Sequence, residues 1–377
     1  MAVRKRRIVV RDRKKTAFRI AVVILALIVI AGASVLTAFT VKSCGEQLVT
    51  RTLPLISSDL ICGTGDGVMY VRAGSLNFYS FKDEDLNFAR PLSAVPKGLV
   101  GNSAIKAVYS ENVIQIVDAP FDIAPSGEIE AVRIGAAHVA VCTASESGGE
   151  SLTVYNSTGQ PVYSLDYPAG RLMKFGFSEA SGSTLWTMEL DTDSGTPRTT
   201  ITTFDLSRVS STGVITVSGQ LVDDIFFTSS SVFVIGTESL IRYSASANRE
   251  IYRVQLYGYK VVDRSIAGES PLLLLLPRTV SGVKDAPFIR LLTVSQKDVA
   301  EESAVTVTLP DELVDCHLVG GQLVIVTGSS VRLCSSKGKL IESFATPVGV
   351  TVSSAKLDER HILMERSGEF DLLTVGK

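Results

Sequence analysis

A chain of 377 residues that is 45% hydrophobic and 20% charged has the composition of a globular protein, which excludes the disordered and collagen-like classes. The net charge of −2 conceals an uneven distribution. Nine of the first 19 residues are Lys or Arg against Asp12 alone, so this tail is about +8 and the rest about −10; with an acidic body, no nucleic-acid partner is expected.

The first predicted element follows directly. Ile20 to Val41, "IAVVILALIVIAGASVLTAFTV", is 22 residues without a charge. At 1.5 Å per residue it spans the ~30 Å hydrocarbon layer. A cleaved secretory signal has a shorter apolar core, so a retained transmembrane helix in contact with the lipid bilayer is predicted. A lipoprotein signal ending at Cys44 is the alternative, although Lys42 beside that site fits the pattern poorly. The positive-inside preference keeps residues 1–19 in the cytoplasm. The reading is a single-pass protein of the cell membrane, with a linker at 42–46 and an extracytoplasmic domain at 47–377.

After Val41 no helical periodicity is sustained. Runs of four to nine Val, Ile, Leu, Phe, Tyr and Thr residues alternate with Gly, Ser, Asn, Asp and Pro, the pattern of an all-β fold. Two stretches, "SLTVYNSTGQPVYSLDYP" from Ser151 and "SVRLCSSKGKLIESFATP" from Ser330, place Gly159 and Gly338, then Pro168 and Pro347, at the same offsets. Each is a strand, a turn needing a positive φ, and a returning strand. Asn248 and Asp83 occupy the glycine position in two further copies.

Each hairpin is preceded by two more apolar runs. Four-stranded units end near Pro54, Pro91, Gly135, Pro168, Gly219, Gly258, Pro310 and Pro347, a spacing close to the ~40–50 residues of a propeller blade. "PLLLLLP", Pro271 to Pro277, fits a strand buried on both faces. The final run, "EFDLLTVGK", supplies a third strand without a fourth, while an orphan strand, Gln47 to Pro54, follows the membrane span. Pairing the two closes the ring and removes its open edges. A β-propeller of eight four-stranded blades is predicted, with seven as the alternative because 92–135 divides poorly.

The anchor and these repeats resemble bacterial membrane-anchored β-propeller proteins, and the blades are similar in pattern to quinoprotein-like and WD-type repeats. The resemblance covers Gln47 to Lys377. Trp186 is the one tryptophan and no WD dipeptide occurs, so no quinone or other cofactor is expected.

The chemistry-bearing motifs are sparse. His138, His317 and His361 stand apart without metal-ligand spacing, and the five cysteines form no CxxC pair. Asp191 and Asp193 lack the distant acid of a calcium loop. "NSTG" at Asn156 matches a glycosylation acceptor but already serves as a hairpin turn. One pattern remains: the first strands "LVDDIFF", "VVDRSIA" and "LVDCHLV" place Asp223, Asp263 and Asp315 together, and the same alignment adds Arg133 and Lys174. First strands line a propeller channel, so these five residues are the candidate ligand-binding ring. The functional reading is a non-enzymatic binding or scaffold module for an envelope protein or a glycan. A propeller-type hydrolase or lyase using the carboxylate ring, or a sensor, are the alternatives.

Overall fold

β-Branched and aromatic runs bounded by turn residues fold into 32 strands in the computed structural model, which describes residues 48–145, 148–168, 170–179, 181–193, 195–266, 268–294, 304–346 and 350–376. The predicted tail, membrane span and linker lie outside these residues, as do Cys44 and Gln47. Among the described residues no helix is long and apolar enough to cross a membrane.

The strands make eight four-stranded antiparallel sheets, and every sheet but one uses consecutive strands. Blades 1 to 7 span 60–91, 98–123, 129–167, 172–218, 222–255, 259–308 and 313–345. In each, the strands run from innermost to outermost in chain order. Blade 8 takes its inner three strands from 351–375 and its outer strand from Leu48–Leu53, which pairs with Glu369–Val375 from Leu48↔Val375 to Leu53↔Phe370. The fold is an eight-bladed β-propeller. Blade 2 divides poorly in the sequence because its strands, Gly98–Gly101, Lys106–Tyr109, Ile114–Ile116 and Asp122–Ile123, are too short for alternation to register.

A blade is buried on both faces, so its middle strands are apolar on both sides. Leu272–Pro277 shows why: Leu272, Leu274 and Leu276 pack against blade 7, while Leu273 and Leu275 pack against blade 5. Eight separate apolar clusters result, one at each interface. The cluster joining blades 8 and 1, which includes Leu53, Val68, Tyr70, Leu363 and Phe370, closes the circle. Burying large aliphatic side chains at about 1.5–3 kcal/mol each makes these interfaces the main source of stability.

The hairpin turns follow the expected chemistry at three positions. Gly159, Gly338 and Asn248 have φ of 75°, 71° and 50°. Asn156 Oδ1 accepts from the Thr158 and Gln160 amides at 3.0 Å, so the asparagine of "NSTG" is spent on the turn. Asp83 differs. Its φ is −142°, and it caps the 3-10 turn Glu84–Leu86 by accepting from the Asp85 amide, because a seven-residue connection needs no left-handed residue.

Cys316 and Cys334 sit on the first and third strands of blade 7, and both are free. Two strand spacings of ~4.8 Å separate them beyond the ~7 Å reach of a disulfide.

Candidate functional site

The innermost strands line the channel, and six of them carry the same irregularity. Register shifts leave Glu130, Met173, Asp223, Val262, Val314 and Val352 as extra residues in blades 3 to 8. A bulge inserts one residue and re-aims those around it. Met173, Val262 and Val352 are 52%, 40% and 51% exposed, apolar side chains left in solvent on the inner strands.

The bulge corrects the predicted ring. The residues following it, and therefore equivalent, are Ala131, Lys174, Asp224, Asp263, Asp315 and Ser353. Asp223 is the bulge residue of blade 5, so Asp224 takes the place assigned to it. Arg133 lies two residues beyond the ring position. It donates to its own Val132 carbonyl and stacks over Phe175 at 5.7 Å. Lys174, Asp223 and Asp263 line one cavity of about 470 Å³, together with the unpredicted Glu179, Asp224, Arg264, Lys356 and Glu359. Arg133 and Asp315 are outside that lining.

Ring side chains reach toward the next blade. Lys174 Nζ donates to the Asp223 carbonyl at 2.6 Å and lies 3.5 Å from Asp224 Oδ1. Arg264 spans three blades, donating to Asp224 Oδ2 at 2.6 Å and to Glu179 Oε1 at 3.0 Å. Burial would lower the Arg264 pKa, but Asp224 and Glu179 raise it above the ordinary value. Asp263 Oδ2 accepts from the Leu318 amide at 2.6 Å, and Lys356 Nζ is 3.7 Å from Asp263 Oδ1 and 2.8 Å from Glu359 Oε1. Asp223 pairs with Arg278 at 2.8 Å.

Each carboxylate of the cavity holds a cation, and Glu179, Asp263 and Glu359 also accept backbone N–H groups. Charge-assisted bonds of this kind fix geometry between blades. Arg264 could not be recognised as the centre of a network from sequence, because it lies 40 residues from Asp224, 85 from Glu179 and 92 from Lys356.

Two aspartates and two histidines singled out in the sequence have partners within the protein. Asp191 and Asp193 pair with Arg198 and Arg171. His317 Nε2 contacts Ser354 Oγ at 2.8 Å, with its pKa lowered by burial. His361 faces Asp358 at 2.9 Å.

No family model and no curated protein matches the chain. Solved structures do. A computationally designed protein, Ika8, is 9% identical with a TM-score of 0.55, over 86% of this chain and 98% of that one. The WD40 domain of Neurospora crassa Pan2 is 7% identical with a TM-score of 0.45, over 88% of this chain and 96% of its own. At such identity the first likeness speaks to the fold alone: this chain is an all-β propeller.

Proposed function

We propose that this protein is a non-enzymatic binding or scaffold module, tethered to the bilayer by Ile20 to Val41, that presents its propeller outside the cell to an envelope protein or a glycan. A propeller is a rigid support for loops, and its clamped channel charges make this one stiff. The observation that carries the reading is a set of large apolar side chains on the loops leading from one blade to the next. Ile56, Val95, Leu221, Tyr257 and Val350 are 44%, 87%, 46%, 71% and 63% exposed. All five lie at the end of the blades where inner strands begin, so they share one face. Tyr257 is held out by a left-handed backbone of φ 38°, a strained state for a bulky residue. On this reading these side chains, set around one face, are the points at which a partner docks.

Photo-crosslinkers placed at Val95, Tyr257 and Val350 in intact cells should trap one recurrent partner. Val209, half-exposed on the opposite face, is the control. Equal or absent yields from all four positions would overturn the reading.

A further inference from the structure

The turn between the third and outer strands of a blade rests on the outer edge of the blade before it. In blade 3 the turn residue is Gly159, and a Cβ there would lie 2.6 Å from the Phe121 ring of blade 2. In blade 7 it is Gly338, and a Cβ would lie 2.6 Å from Val307 of blade 6. At both interfaces a bare turn meets an apolar plug. Blades 4 and 5 reverse the pair: the turn carries Asn248, and the strand beneath it, Ser210–Ser218, carries Gly213, where a Cβ would meet the Asn248 amide nitrogen at 1.9 Å.

A second departure lies alongside. The outer strands of blades 3, 5 and 7 contain a bulge whose extra residue is Val162, Ile251 or Ile341. In blade 4 that residue is Thr212, whose hydroxyl lies 3.0 Å from that of Thr203. At this one interface the apolar plug gives way to a glycine facing an asparagine, and the aliphatic bulge residue to a threonine. Breaks in a repeat's own rule fall where function competes with packing.

The result is a cavity of about 280 Å³ between blades 4 and 5, on the face opposite Tyr257. Its floor includes the buried Phe227 and Val232; hydroxyls of Ser178, Thr184, Thr203 and Thr212 and the Asn248 amide stand around it, and no charged residue lines it. Among the described residues the Thr184 hydroxyl and the Asn248 amide make no side-chain hydrogen bond.

We propose that this cavity binds one ring of a neutral sugar. A sugar presents a C–H face, which an aromatic and aliphatic floor accepts, and radial hydroxyls that both donate and accept. Threonine, serine and asparagine match that dual character, whereas carboxylates accept only and lysine donates only. An acidic ligand would lose its hydration with no cation to replace it. The volume is near the ~300 Å³ lower limit of small-ligand clefts, which suits a ring rather than a protein segment. The site deepens the binding reading above and rests on it, naming a glycan as one of the things bound.

The test uses the full-length protein in a zwitterionic, sugar-free detergent, with glucose, galactose and N-acetylglucosamine as probes in saturation-transfer NMR. At least one should bind saturably in the millimolar range. The double variant Gly213→Val/Asn248→Gly recreates the Val307–Gly338 lock, so it should melt no lower than the parent and weaken binding at least tenfold. Asn248→Ala should weaken it severalfold. If no probe saturates, or if the double variant binds like the parent, the site is refuted. Crosslinking at Tyr257 reads the opposite face, so a parent protein that binds no sugar but keeps its crosslinks counts against this cavity alone, whereas absence of the crosslinks counts against the scaffold reading.

Discussion

Replacing Asp371 by alanine tests how the ring is closed. Asp371 is 2% exposed on the third strand of blade 8, where it accepts from Thr52 Oγ1 of the closing strand at 2.8 Å and from Arg366 Nε at 2.9 Å. Arg366 is itself 8% exposed. The substitution takes the carboxylate away from a buried guanidinium, a cost of about 3–5 kcal/mol. Loss of the Thr52 bond adds about 1 kcal/mol. Against a total stability of roughly 5–15 kcal/mol this is a large fraction. A loss of that size should lower Tm by about 8–12 °C at the ~2 °C per kcal/mol of larger domains. Arg51, paired with Leu372 inside the closing strand, offers a tryptic site that is shielded while the strand is seated. Thermal melts and timed trypsin digestion should move together, with faster cleavage after Arg51. Arg366→Met with Asp371→Leu should recover most of the loss, since an apolar pair needs no desolvated charge. A single variant that melts within 1 °C of the parent and is cut no faster would refute the latch.

The bulge makes neighbouring aspartates unequal: Asp224→Asn should cost about 1–2 kcal/mol through Arg264 and Lys174, and Asp223→Asn less than about 0.5, both by denaturant melts. Equal costs would return Asp223 to the ring. Glu269 tests linkage, because hydroxyls of Ser229, Ser230 and Thr228 hold its pKa at about 2 against the burial that would raise it. The contribution is present above the unfolded carboxylate value of ~4.3 and lost as pH falls toward about 2, so Glu269→Gln should melt below the parent at pH 7 and converge with it in acid; a constant gap would be contrary evidence. Cys316 and Cys334 should remain free in unreduced mass spectra and alkylate slowly, since burial raises both pKa values. A Cys316–Cys334 link would break the blade register. A C-terminal tag should be open to protease on intact cells stripped of any wall, and its protection would invert the proposed topology.

Much of the architecture was legible because it depends on local chemistry. Gly159, Gly338 and Asn248 announce left-handed turns wherever the chain reverses, and the continuous leucines at 272–276 announce a strand with apolar neighbours on both sides. The missing fourth strand of blade 8 and the orphan before Pro54 could be matched because an unpaired edge leaves backbone groups unsatisfied. Asp83 misled because a turn residue carries no record of the length of its loop. The ring was misread for a related reason: a bulge adds one residue without a side-chain signature, so "LVDDIFF" aligns equally well on either aspartate, and only pairing with Ser231–Gly236 selects Asp224. Likewise Arg264, Glu179, Lys356 and Glu359 are unremarkable charges in sequence, and Gly213 and Asn248 two ordinary turn formers. Strands are specified by neighbours in the chain, but partners across blades are chosen by closure of the ring, which brings together residues that the chain holds far apart.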